Sequence, residues 1–218
     1  MILNTTSCGG GGRACDSCCY PSPGGQFAVL NVLAELHNHA PGTAWFFNLS
    51  AGIAVFVPPP PQQQPSANSS FGLVASELET LVSVGAGGPA AHVVLDGIHW
   101  RHARFAGLIL ANCTGCVVRG GSVAFAGAMC VNVTGGSGSG VVDGTEVFGC
   151  GTGGVFLDGG NRTTLAAAGH AVSGALIHDW NRRVWCNAPG VMLSGVGCNV
   201  TASELHSAPH MVREECGC

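Results

Sequence analysis

Between Ile177 and Val191 the chain reads HDWNRRVWCNAPG, which gathers an imidazole, a carboxylate, two guanidinium groups and two indoles into a protein with only 9 % charged and 6 % aromatic residues. The side chains are His178, Asp179, Trp180, Arg182, Arg183 and Trp185. Further on, LHSAPHMV repeats the order of an apolar residue, a histidine and an Ala-Pro step, and adds His206 and His210. Upstream, Asp158 follows the apolar VFL, and with Asp179 it supplies the best pair of carboxylates to act as acid and base. The three histidines can tune such a pair or donate hydrogen bonds, the indoles offer flat apolar faces and the arginines offer fixed donors. Equally, Asp before Gly-Gly forms turns, and a histidine in a repeat is often a structural hydrogen bonder. CDSCC (15 to 19) and CTGC (113 to 116) have the spacing of zinc half-sites, but neither is followed by a ligand-spaced histidine. Disulfides or unpaired thiols are the better reading, and no metal or cofactor is expected. His206 and His210 have helical spacing without a helix, because Pro209 stands between them.

The elements that must position these residues come from two interleaved series. Val93 to Ile98, Val118 to Val123, Val142 to Val147, Val172 to Ile177 and Val200 to Leu205 each place two apolar residues five apart, with starts stepping by 25, 24, 30 and 28 residues. Between them run LIL at 108, VNV at 131, VFL at 155 and VML at 191. Two short strands per turn, at a period of about 24, describe a coil whose apolar side chains are buried only when coils stack. Leucine-rich repeats lack their spacing here, and propeller blades need about forty residues each. The expected fold is all-β, a right-handed parallel β-helix (solenoid) with an N-terminal β lead-in. Strand alternation leaves Ile109, Asn132, Phe156 and Met192 on the outer face. His178 and His206 fall at the same place in consecutive coils and are expected to stack, with the insert after Ile177 leaving the coil as a loop.

Composition excludes several classes. Lysine is absent and the formal net charge is −4, so phosphate backbones and anionic lipid find no basic surface; neither nucleic acid nor membrane is an expected partner. Seven of eleven asparagines (Asn4, Asn48, Asn68, Asn112, Asn132, Asn161, Asn199) open an Asn-x-Ser/Thr triplet, where chance gives roughly one or two. With twelve cysteines this points to an oxidising compartment, extracellular or cell wall. MILNTTSCGG has no signal-peptide character, so the true start is expected upstream of Met1. Residues 1–24 read as a Gly/Cys-rich disordered tail and 25–84 as the β lead-in, interrupted by the Pro/Gln-rich loop PPPPQQQPSANSS. Residues 85–212 read as four to five coils, and 213–218 as a terminal stub.

GTGGVFLDGGNRTTL, ALIHDWNRR, APGVMLSGVGCNV and LHSAPHMV, in that order, resemble a run found in secreted right-handed parallel β-helix repeat proteins of the glycoside-hydrolase and polysaccharide-lyase type. NVLAELHNHAPGTAWFFNLSAGIAVFVPPP is similar to that family's strand-turn-strand lead-in. The resemblance implies a glycan-facing protein, in which Arg162, Leu165, His178, Asp179, Pro189, Gly195, Gly197, His206, Pro209 and His210 keep the pattern. Asn161 and Ser207 stand where the pattern has aspartates, and the family's later coils do not follow. Glycosidic cleavage needs two carboxyl groups across the bond, for which Asp158 and Asp179 are the candidates. Arg162, His178, Trp180, Arg182, Arg183, Trp185, His206 and His210 are the candidate binding residues for a polysaccharide or glycan. The resemblance thus implies a glycan-binding or enzyme-like β-helix with an incomplete active site. The alternatives are a working glycoside hydrolase of cell-wall polysaccharides, and a structural matrix β-helix or partial gene product.

Overall fold

The computed structural model describes residues 31–38, 45–57, 74–183, 188–208 and 213–215. The expected disordered tail (1–24) and the Pro/Gln-rich loop lie outside these residues, as do Trp185 and His210. The chain divides into two compact units, Met1–Val74 and Ala75–Cys218. In the first, Trp45–Asn48 pairs antiparallel with Ile53–Phe56, the strand-turn-strand element expected there. Asn48 Oδ1 accepts hydrogen bonds from the backbone N–H of Ser50 and Ala51 and so closes the turn, which Gly52 completes at φ +65°.

The second unit is a parallel β-solenoid of five coils. Sheet one runs through Thr80–Val84, Ala106–Thr114, Val131–Ser137, Val155–Asp158, Val191–Leu193 and Arg213–Glu215, with Ala90–Ala91 beside the second of these. Sheet two contains Val94–Asp96, Val117–Arg119, Gly140–Val142, Ala171–Ser173 and Asn199–Thr201. Sheet three contains His99–Arg101, Ser122–Ala124, Glu146–Phe148, Leu176–His178 and Glu204–His206. Each coil therefore has three strands, not two, because the five-residue spacing of apolar pairs is a strand, a corner and a second strand. Arg213–Glu215, read from sequence as part of a stub, adds a strand beside Val191–Leu193.

The inward columns of the three sheets are apolar. Leu108, Val131, Val155 and Val191 align in sheet one, with Leu110, Val133, Leu157 and Leu193 two residues on. Ile109, Asn132, Phe156 and Met192 stand between them, facing outward and only half-buried, as strand alternation requires. Leu95, Val118, Val141, Val172 and Val200 fill sheet two; Trp100, Val123, Val147, Ile177 and Leu205 fill sheet three. The sequence pattern is thus corrected at two coils. In the first, Val93 packs against the core as read, but Leu95 and Trp100 take the inward places of the two strands, and Ile98 is exposed. In the third, Val141 rather than Val142 is fully buried, and Asp143–Gly144–Thr145 makes a longer corner. Thr145 Oγ1 is buried there and donates to Val142 O (2.7 Å) or Val118 O (3.2 Å), which keeps the wider turn satisfied.

Candidate functional site

The corner that follows sheet three is built alike in every coil. His102, Phe125, Gly149, Asp179 and Ser207 each adopt a left-handed backbone (φ 66°, 56°, 65°, 53° and 58°) one place after the strand ends. Four of these five are not glycine, and each costs about 1 kcal/mol or more of backbone strain. That turn sends the following residue inward: Ala103, Ala126, Cys150 and Trp180 are buried, and Ala208 packs against the same core. Trp180 is therefore the largest fully buried side chain among the described residues, 1 % exposed. This corrects the reading of Trp180 as a loop residue offering its face to a ligand: the left-handed Asp179 rotates its neighbour into the coil.

Outside the same corner stands a column of five rings. His102 stacks on Phe125 with centroids 5.2 Å apart, Phe125 meets Phe148 edge-on at 5.2 Å, Phe148 stacks on His178 at 5.0 Å, and His178 stacks on His206 at 5.2 Å. The expected His178–His206 stack is present, with ring planes 6° apart. The column changes place midway. Its first two rings occupy the left-handed position, whereas the last three end their strands; the switch falls where Ala124 gives no ring and Gly149 gives no side chain. A Cβ on Gly149 would lie 2.6 Å from Phe125 Cδ1, so only glycine lets that ring lean across to Phe148. Stacked pairs of this kind contribute about 0.5–1.5 kcal/mol each beyond their burial.

His178 is anchored on both sides. Its Nδ1 lies 2.7 Å from Asp179 Oδ2 and its Nε2 3.1 Å from Glu146 Oε1, so the imidazolium form donates to a carboxylate from each nitrogen. Burial pulls the His178 pKa down, but the hydrogen bonds and charges of Asp179 and Glu146 outweigh it and leave the pKa raised. His206 Nδ1 sits 2.8 Å from Ser207 Oγ, with Glu204 Oε1 3.8 Å from its Nε2.

Beside this column opens a cleft of about 670 Å³, walled by Phe125, Phe148, His178, Asp179, Arg182 and Ser207, with Gly149, Trp180 and Asn181 at its base. Arg182 Cζ lies 5.9 Å from the Phe125 ring centroid and pairs with no carboxylate among the described residues. Arg183 is differently employed: its Nη1 donates to Gly127 O at 2.9 Å, strapping the segment to an earlier coil. Asn181 is 1 % exposed and left-handed (φ 62°), and neither its Oδ1 nor its Nδ2 finds a partner. A buried amide left unsatisfied costs about 1–3 kcal/mol.

Asp158 and Arg162 stand elsewhere. Asp158 ends its sheet-one strand at the corner leading to sheet two, whereas Asp179 stands at the corner leading back to sheet one, and Asp158 does not line the cleft. Asp158 instead neighbours His170 and Cys198, on whose protonation its charge acts. His170 is fully buried; its Nδ1 accepts from the Ser139 backbone N–H (3.1 Å) and its Nε2 has no partner. Burial depresses its pKa below the ordinary value, against smaller opposing contributions. Arg162 donates to the Ser194 carbonyl and to Ser194 Oγ (3.2 Å), pinning the insert of 159–170 to the next coil.

Among the described residues the cysteines are of two kinds, one disulfide pair and the free thiols Cys113, Cys116 and Cys198. Cys130 and Cys150 form a disulfide that joins the start of one coil, before Val131–Ser137, to its end, after Glu146–Phe148, a bond compatible with an oxidising compartment. Cys113 and Cys116 of CTGC are buried free thiols, and burial followed by the Cys116 contact pushes the Cys113 pKa up to about 12. No cluster of three or more metal-binding side chains occurs among the described residues. Sequence reasoning missed Phe125, Phe148 and Asn181; the signal was present in WRH, VAF, VFG, IHD and LHS, where each coil sets one ring within two places of its inward residue. Comparison with family models, with curated proteins and with solved structures finds no match.

Proposed function

We propose that the cleft beside the ring column binds a saccharide, and that the chain is a glycan-binding β-helix without hydrolytic activity. The observation that carries the reading is Asn181, an amide sealed at the base of an open cleft with both polar atoms unpaired. Both atoms are closed to solvent, so the side chain must turn towards the cleft on binding, where a polyhydroxylated ligand, directly or through a held water, offers the donor and the acceptor that the amide lacks. Phe125 and Phe148 offer apolar contact to the C–H groups of sugar rings, and Arg182 and Ser207 suit hydroxyl oxygens, while His178, with both nitrogens taken by Asp179 and Glu146, presents its ring. The non-hydrolytic part of the reading is supported by the carboxylates: Asp158 belongs to a different corner, and Asp179 is held by His178. Two carboxyl groups facing one bond from opposite sides, as hydrolysis requires, are not assembled from that pair.

Titration calorimetry of the folded chain against a panel of soluble cell-wall oligosaccharides tests this. Saturable binding is expected, about tenfold weaker for Arg182→Ala and Asn181→Leu, and unchanged for Arg162→Ala, with no reducing sugar released. Failure of the whole panel to bind, or equal binding by the cleft variants, overturns the assignment; release of reducing sugar overturns the non-catalytic part.

A further inference from the structure

The Asn-x-Ser/Thr triplets sort by position in a way their number alone does not explain. Five of the seven lie among the described residues: Asn48, Asn112, Asn161 and Asn199 are exposed, Asn132 is half-buried on an outer face, and none is buried. Asn181, the asparagine that is buried, opens no triplet. The third residue of every one of the five triplets, Ser50, Thr114, Thr134, Thr163 or Thr201, is also exposed or half-buried.

In the folded chain the local turns leave room for a glycan on the amide nitrogen. Asn161 Oδ1 accepts from the Thr163 and Thr164 backbone N–H groups (2.9 and 3.0 Å), and Asn48 Oδ1 is held in the same manner by Ser50 and Ala51. In both turns the carbonyl oxygen is fixed and Nδ2 is left for another bond. Placement around the coil is selective too. Asn132 projects from sheet one, Asn112 and Asn161 lie towards the corner between sheets one and two, and Asn199 begins a strand of sheet two. Sheet three and the corner after it, which carry the cleft, contain no triplet.

We propose that Asn48, Asn112, Asn132, Asn161 and Asn199 are acceptors of N-linked oligosaccharide, and that the coil's acceptors sheathe two faces of the solenoid while leaving the cleft face bare. In the transfer, Nδ2 loses a proton and bonds to the anomeric carbon of an oligosaccharide carried on a lipid diphosphate. The anomeric C–O bond breaks and the lipid diphosphate departs. Transfer meets the unfolded chain, so the exposed positions matter afterwards, when each attached glycan must be accommodated by the closed coil. The inference does not depend on what the cleft binds.

The full chain, led into a eukaryotic secretory lumen by a cleavable leader, is digested with peptide N-glycosidase in heavy-oxygen water, so that each glycosylated asparagine is read as labelled aspartate. Label is expected at all five positions, and Thr163→Ala should remove it from Asn161 alone. Arg183→Thr opens a triplet at Asn181; its glycosylated form is expected to be retained in the cell, while Arg183→Ala is released like the parent. Lumenal chain without label at these positions overturns the acceptor assignment. Release of chain glycosylated at Asn181 in amounts equal to the parent overturns the claim that the cleft face must stay bare.

Discussion

Asp158 ends a short strand and Asp179 follows one, and each stands at the start of an insert in the coil, yet the two corners have opposite characters. The 159–170 insert folds against its own backbone: Asn161 pairs with Ala166, Arg162 ties it to Ser194, and its apolar Leu165 is left 71 % exposed. Beneath it, His170 and Ser139 make a buried polar column. At the Asp179 corner the arrangement is reversed. The apolar residue, Trp180, goes into the core, and charged and aromatic groups stand outside around an open cleft. An insert in a solenoid is therefore not in itself a site: His170 Nε2 is unpaired as Asn181 is, and what separates the corners is the open cleft beside Asp179.

Truncation of the two apolar residues separates the corners most strongly. Trp180→Ala is expected to destabilise by about 3–5 kcal/mol in urea unfolding, and Leu165→Ala by no more than about 0.5 kcal/mol; similar values for both would dissolve the distinction. Asn181→Leu sharpens it from the polar side. Because the amide is unsatisfied, its loss is expected to leave stability unchanged or raise it by about 1 kcal/mol, while saccharide binding falls. A destabilised Asn181→Leu would mean that the amide has a structural partner.

The two buried-side histidines should respond to pH with opposite sign. His170 has a depressed pKa, so as pH falls below about 6.5 the unfolded chain takes up a proton that the folded chain refuses, and stability drops until folded His170 itself protonates. His178 has a raised pKa, so its contribution is complete below that pH and is lost as pH rises through the folded value. Denaturation across pH 4 to 8 should accordingly lose its acid-side fall in His170→Gln, and its stabilisation at acid pH in His178→Gln. The smallest effect is expected for Arg162→Ala, whose exposed guanidinium should be worth less than about 1 kcal/mol; a larger loss would show that the insert is clamped by this one residue.

Much of the fold was legible because a solenoid writes its inward columns into the sequence at nearly constant spacing. LIL, VNV, VFL and VML lie in register as read, and the coincidence of His178 with His206 survived an insert of several residues. The third strand per coil was not separable, since corners of two or three residues leave no gap in an apolar pattern. Trp180 was misplaced for a specific reason: Asp–Trp–Asn–Arg–Arg reads as solvated, and only the left-handed Asp179 turns the indole inward. Phe125 and Phe148 escaped notice because their rings change position by one residue between coils, across Ala124 and Gly149. Asp158 and Asp179 stand at different corners, which the sequence did not reveal because spacing along the chain carries no information about which of three corners a residue occupies.

The central claim is that the corner after sheet three, and not the corner after sheet one, takes the ligand. Side-chain amide and imidazole resonances of the folded chain, followed during titration with a bound oligosaccharide, address it directly. The account predicts that the Asn181 amide and the His178 and His206 rings shift in a saturable manner while the His170 ring remains unmoved. Shifts at His170 with a silent Asn181 would contradict it.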